Sequence, residues 1–192
     1  MSARFRIAGR VCILLLKALR LAKERLPRIE LRVLGPGYRR PCTAVVQKLG
    51  LDGHVRLDGV IPAGSPVLSW LDQIDLYLQP SFQEGLPRAL IEAMSRGCPA
   101  LGSTAGGIPE LLDAECLHRP GDHRALARLI VLRAGDRNWL IAQARRNFEV
   151  FKRYARTVTQ QTRREFWSAF SSYARQYRGF TQPVAKPRPD SA

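Results

Sequence analysis

The feature that most constrains this chain is an alternation. Short apolar runs recur along the first two thirds of the sequence, and each is followed by a stretch with helical spacing. "RFRIAG" at 4–9 precedes a helical pattern over 12–26. "IELRVLG" at 29–35 precedes one over 41–49, and "HVRLDGV" at 54–60 a short one over 66–73. "IDLYLQP" at 74–80 leads to a helix over 87–96, and "CPALGS" at 98–103 to a helical turn over 109–112. "CLHRP" is the last short strand, and helices follow from His123. Strands of this length alternating with helices predict parallel β-α-β units. Right-handed crossovers assemble such units into an α/β, doubly wound, Rossmann-like sheet.

In sheets of that kind a ligand binds outside the carboxyl ends of the strands. The connections there are 9–10, 35–37, 59–64, 80–86 and 103–107, and all but one are glycine-rich. Glycine lets backbone amides approach a ligand closely. Five loops on one rim, four of them glycine-rich, point to a binding site.

The N-terminal run "VCILLL" invites comparison with a signal peptide, but it is only six residues long, and Lys17, Arg20, Lys23 and Arg25 follow. It is far too short to cross a membrane. Leu15, Leu19 and Ala22, beside Leu16 and Leu26, fall on one helical face, which predicts an amphipathic core helix; a membrane-surface helix is the alternative. The four cysteines, Cys12, Cys42, Cys98 and Cys116, form no C-x-x-C pair and sit in apolar contexts. Buried free thiols, and hence a reducing cytoplasmic setting, are expected.

The chain carries 31 Lys and Arg against 16 Asp and Glu, unevenly placed. Residues 1–50 hold twelve basic and two acidic side chains, 51–110 three and seven, and 151–192 nine and two. Basic ends suit an anionic partner such as a phosphorylated ligand, an anionic membrane surface or nucleic acid. No nucleic-acid-binding motif accompanies the charge, so nucleic acid is not expected. Helices after Asp136 are basic and aromatic; Phe166, Phe170, Tyr173 and Tyr177 fall at helical spacing and read as a docking face. The expected organisation is a domain over 1–135, basic helices packing on it over 136–178, and a disordered tail over 179–192.

The acidic centre holds the densest chemistry, "PSFQEGLPRALIEAMSRGCPALGSTAGGIPELL" at 80–112. Glu84 lies in a Gly/Pro loop and Glu92 eight positions later on a helix that Pro87 can open. The first turn of that helix, Arg88, Ala89 and Leu90, offers unbonded amides and a positive dipole end for phosphate. Gly106-Gly107 makes a second amide-bearing turn, followed by Glu110. Carboxylates accept hydrogen bonds from sugar hydroxyls. A phosphate site between two of them suits a nucleotide sugar.

At these residues the chain resembles the donor-binding, C-terminal half of glycosyltransferase family 4, which has the GT-B fold. The matching pattern is Pro80-Ser81, Glu84-Gly85, Glu92-Ala93-Met94, Gly97 with Pro99, Gly106-Gly107 and Glu110. "AGR" at 8–10, "LRVLGPG" at 31–37, "LGLDGHVRLDGV" at 49–60 and "RPGDHRALARLI" at 119–130 stand in family order, so the resemblance covers roughly 4–150. It implies retaining transfer of a glycosyl group from a nucleotide sugar such as a UDP- or GDP-hexose, without a bound metal or other cofactor. Glu84 would hold the transferred sugar and Arg10 the diphosphate, as the catalytic pair. Glu92 would take the ribose hydroxyls. Gly85, Leu86, Arg88, Ala89, Leu90, Gly106 and Gly107 would contact sugar and phosphate, and Val60 and Ile61 would border the base.

Two departures from the family accompany the match. The loop after Gly9-Arg10 passes almost at once into helical pattern, without the family's later Lys-Gly, and Lys17 lies inside that helix. The acceptor-binding half, N-terminal in the family, has no counterpart in the 192 residues, so a separate half and an unspecified acceptor are expected as partners. The expected place of work is the cytoplasm, including peripheral contact with the inner face of a membrane. The alternative from a different class is a non-catalytic basic α/β module for nucleic acid or an anionic membrane.

Overall fold

The computed structural model describes residues 9–35 and 39–176. Within them, helices and strands alternate as the apolar pattern requires. The order is α1 (Gly9–Lys23), β1 (Leu31–Leu34), α2 (Arg39–Lys48), β2 (Val55–Gly59), α3 (Ser65–Leu71), β3 (Tyr77–Gln79) and α4 (Arg88–Ser95). Then come β4 (Ala100–Ser103), two 3₁₀ turns at Ile108–Glu110 and Ala114–Cys116, β5 (Leu117–His118), α5 (His123–Ala134), α6 (Arg137–Lys152) and α7 (Arg156–Gln176). Residues 4–8 of the first expected strand lie outside the described residues, and Gly9 already belongs to α1.

Among the described residues every strand pairing is parallel: β1 with β2, β3 with β4, and β4 with β5. Among the described residues the pairs form two sheets, β1–β2 and β3–β4–β5. All four residues of β4 are buried, as expected of a parallel strand covered on both faces. Tyr77 stands opposite Ala100 and Gln79 opposite Gly102, which brings the carboxyl ends of β3 and β4 side by side.

The expected core helix is α1: Leu15, Leu16, Leu19 and Ala22 are buried, and it packs chiefly against α5. α5 begins at Asp122, whose carboxylate accepts the Ala125 amide at 2.8 Å, an N-cap that satisfies one otherwise unpaired donor. α4 turns Leu90, Ala93 and Met94 inward and packs against α6. No helix among the described residues is long and apolar enough to cross a membrane.

The chain divides into two compact units between Lys152 and Arg153. α6, grouped by sequence with the C-terminal helices, belongs to the unit of the sheets. Its Asn147, fully buried, donates to the Cys98 carbonyl at 2.9 Å. Arg146 donates to the Leu111 carbonyl and, at 2.7 Å, to Asp113. Trp139 Nε1 donates to Glu115 at 2.7 Å. In the other unit, α7 carries Phe166 stacked on Phe170 at 6.2 Å, with Trp167 edge-on to both at 5.4 and 5.8 Å. Phe166, Trp167, Phe170 and Tyr173 are exposed. Tyr177 and the expected tail lie outside the described residues.

The cysteine expectation needs correction. Cys98 and Cys116 are buried thiols outside any disulfide, but Cys12 and Cys42 form one. α1 and α2 pack together and bring the two Cα atoms to 6.6 Å, within bridging range. The two cysteines stand 30 positions apart, a pairing that only the packing of the helices reveals. The bridge removes the cysteine argument for a reducing compartment.

Candidate functional site

The loop between β3 and α4 carries Glu84, and its side chain is held from below. Ser81 Oγ donates to Glu84 Oε2 at 2.7 Å, and Gln79 Nε2 donates to the same oxygen at 3.2 Å. Gln79 Nε2 also reaches Ser81 Oγ at 3.0 Å. Behind them the Tyr77 hydroxyl donates to Gln79 Oε1 at 2.8 Å. Tyr77, Gln79 and Ser81 alternate along β3 and its extension, so the period-2 geometry of a strand puts all three on one side. The Ser81 carbonyl in turn accepts a 2.6 Å hydrogen bond from Ser103 Oγ, fully buried at the end of β4.

The Gly106-Gly107 turn closes against this loop. Gly107 donates its amide to the Gly85 carbonyl at 3.0 Å, so that amide is engaged within the protein. Gly106 has φ 54°, and a Cβ there would lie 1.9 Å from the Glu84 carbonyl oxygen. A Cβ at Gly107 would come within 3.1 Å of Gly85 O and 3.2 Å of Leu86 Cδ1. Gly106 is therefore required for the close approach of the two loops, and Gly107 packs tightly beside it. Ala105 directs its amide to Ser103 Oγ at 3.4 Å.

Pro87 is the N-cap of α4. The Leu90 amide bonds back to the Pro87 carbonyl at 3.1 Å and the Leu90 side chain is fully buried. The first-turn amides left pointing off the helix end are those of Arg88 and Ala89, at the positive pole of the helix. Glu92 is exposed on the second turn, next to buried Ala93. Leu86 is exposed beside the Gly107 turn. Glu110 ends the first 3₁₀ turn and is exposed.

Val60 and Ile61 follow β2 at its carboxyl end, with Val60 strongly exposed. The strand beneath them is fixed by a cluster that the sequence did not flag. Asp58 Oδ2 accepts Arg32 Nε at 2.8 Å and Trp70 Nε1 at 2.6 Å, and Oδ1 accepts Arg56 Nε at 2.6 Å. Arg32 also donates to Gln73 Oε1 at 3.0 Å and lies 5.1 Å from the Trp70 ring centroid. Burial pushes the Asp58 pKa up, but the Trp70 and Arg32 hydrogen bonds and nearby positive charge outweigh it and hold the carboxyl below its usual range. The lock ties β1, β2 and α3 together. Arg10 falls in the first turn of α1, and its side chain lies outside the described part of the structure.

Sequence reasoning thus located the Glu84 loop, the start of α4 and the Gly-Gly turn, but missed Gln79, Tyr77 and the Asp58 cluster. The polar residues at alternate positions in "YLQPS" were the available signal for the first two. Among the described residues no group of three or more His, Cys, Asp or Glu is placed to hold a metal ion.

Comparison with known proteins identifies the family and the fold. The family profile "Glycosyl transferases group 1" matches residues 3–134. The putative colanic acid biosynthesis glycosyltransferase WcaL of Escherichia coli (strain K12) is 34% identical over 123 residues, covering 59% of this chain and 30% of that protein. The chain spans between 26% and 31% of the curated relatives it matches. Among solved structures, the C-terminal domain of a group 1 glycosyl transferase (LpcC) from Francisella tularensis superposes with a TM-score of 0.70 at 20% identity, over 79% of this chain and 83% of that one. Anabaena Alr3699/HepE in complex with UDP-glucose gives a TM-score of 0.77 at 23% identity, over 87% and 48%. The chain belongs to the group 1 glycosyl transferases, and its fold is that of their C-terminal, Rossmann-like GT-B domain.

Proposed function

We propose that this chain is the donor-binding half of a retaining glycosyltransferase that takes a nucleoside-diphosphate hexose. The observation that carries the reading is the braced Glu84 carboxylate, four and five residues before the open amides of Arg88 and Ala89. Glu84 accepts hydroxyls of the sugar and orients its anomeric carbon. The α4 N-terminus and Arg10 take the diphosphate, Glu92 the ribose, and Val60 and Ile61 border the base. In the transfer, the bond from the anomeric carbon to the β-phosphate oxygen breaks and leaves its electron pair on the diphosphate. An acceptor oxygen bonds to the same face of that carbon, and its proton passes to the diphosphate. Fixed positive groups meet the developing charge, the largest lever a preorganised site has. No bound metal enters the reading. The neighbour solved with UDP-glucose supports the donor class.

The acceptor side is assigned to a second half, because the chain spans less than a third of its curated relatives. The exposed Phe166, Trp167 and Phe170 of α7 are the surface that half would cover. Binding of the chain to anionic vesicles, unchanged by an added acceptor half, would give that face to a membrane instead.

Calorimetric titration with UDP, UDP-glucose, GDP and GDP-mannose tests the donor reading. Saturable binding of one nucleotide pair is expected, weakened by Glu92→Ala on the nucleotide side. No binding of any of the four at millimolar concentration would refute it.

A further inference from the structure

We propose that Gln79, oriented by Tyr77, is a positioning residue that aims the Glu84 carboxylate at the sugar of the donor; this rests on the donor reading above. Tyr77 is only 1% exposed, and its hydroxyl donates to Gln79 Oε1 at 2.8 Å. That bond fixes which way the amide points. With Oε1 turned toward Tyr77, Nε2 faces Glu84 Oε2 and Ser81 Oγ. A flipped amide would set its oxygen 3.2 Å from a carboxylate oxygen with no proton between them. The relay therefore has one direction, from buried phenol to amide to carboxylate.

Both donors, Gln79 and Ser81, act on Oε2. Oε1 has no hydrogen-bond partner among the described residues and is the oxygen presented to a ligand. A carboxylate fixed through one oxygen keeps the other in a single place, and so avoids the ordering entropy a swinging side chain would lose on binding.

The same bonds could merely brace the loop, but the loop backbone is already held without Gln79. Gly107 donates to the Gly85 carbonyl and Ser103 to the Ser81 carbonyl. Gln79 touches only side chains in this network: Tyr77, Ser81 and Glu84. Its effect falls on where the carboxylate points.

The test is titration of the 192-residue chain and four variants with UDP and UDP-glucose, and with GDP and GDP-mannose, together with melting temperatures. The quantity read is the preference for the nucleotide sugar over the bare nucleotide. Gln79→Leu is expected to lower it about tenfold, the scale of losing one hydrogen bond to a charged group. Tyr77→Phe, nearly isosteric, lowers it by less, and Gln79→Glu, which sets an anion beside Glu84, by more. UDP or GDP affinity stays within twofold throughout. A preference unchanged in Gln79→Leu and Tyr77→Phe, while Glu84→Gln alters it, overturns the proposal and leaves the donor reading standing. Bare-nucleotide affinity and melting temperature falling in step with the preference would show a loop brace and overturn it too. If Glu84→Gln has no effect, or no nucleotide binds, the donor reading fails and this proposal fails with it.

Discussion

Gly106 sits against Glu84, with the space for a Cβ already occupied by the Glu84 carbonyl oxygen 1.9 Å away. The two residues lie on loops after different strands, and their contact depends on the side-by-side ends of β3 and β4. Gly106→Ala must move the Glu84 loop, and it must also hold alanine at φ 54°. A loss of about 3 kcal/mol in stability is expected, near the upper end for overpacking and backbone strain. Gly135→Ala, with open space around it, is the control and leaves the denaturation midpoint unchanged.

Asp58 gives the fold a defined acid sensitivity. Its folded pKa lies below the ordinary value of 3.8, so the folded state binds its proton less readily than the unfolded chain. The stabilisation is complete above the unfolded value and is lost as pH falls through the folded one. Asp58→Asn should cost about 3 kcal/mol, because it leaves Arg32 buried without its counter-ion. Urea denaturation between neutral pH and pH 3 should show the wild type losing that advantage on acidification and the variant a flatter profile.

The thiols should divide two and two. Alkylation of the unfolded, unreduced chain is expected to label Cys98 and Cys116 alone, with reductant adding Cys12 and Cys42. In the native chain at pH 8 Cys116 should resist, since burial pushes its pKa up to about 11. Reduction should lower stability by about 3–4 kcal/mol on the loop-entropy scale for a closed loop of this length. Mass spectrometry and a thermal melt with and without reductant check both.

Asn147→Ala removes the donor that satisfies the Cys98 carbonyl at the entry to β4. An orphaned buried carbonyl and a small void should together cost about 2–3 kcal/mol. The readout is a lower midpoint in urea. Exposed Arg145 on the same helix, changed to Ala, should leave it unmoved.

What could be read from the sequence was what repeats locally. Strand–helix alternation announced the parallel sheets because buried parallel strands are apolar on both faces. Glu84 and Gly106-Gly107 stood out by residue type. What could not be read depends on register and packing. Arg32 meets Asp58 across 26 positions, and Glu84 meets Gly106 across 22, only once the strands are paired. Cys12 finds Cys42 only when two helices pack. A sixteen-residue basic helix such as α6 gives little sign that Trp139, Gln143 and Asn147 turn inward.

That inward face of α6 redraws the boundary of the smallest piece that can stand alone. The family match stops at residue 134, yet the strand entering beneath the second loop is tethered at Cys98 by a side chain thirteen positions further on. A fragment trimmed to the matched span would strip α6 from α4 and loosen the scaffold on which both loops rest; the compact unit that carries them runs to Lys152.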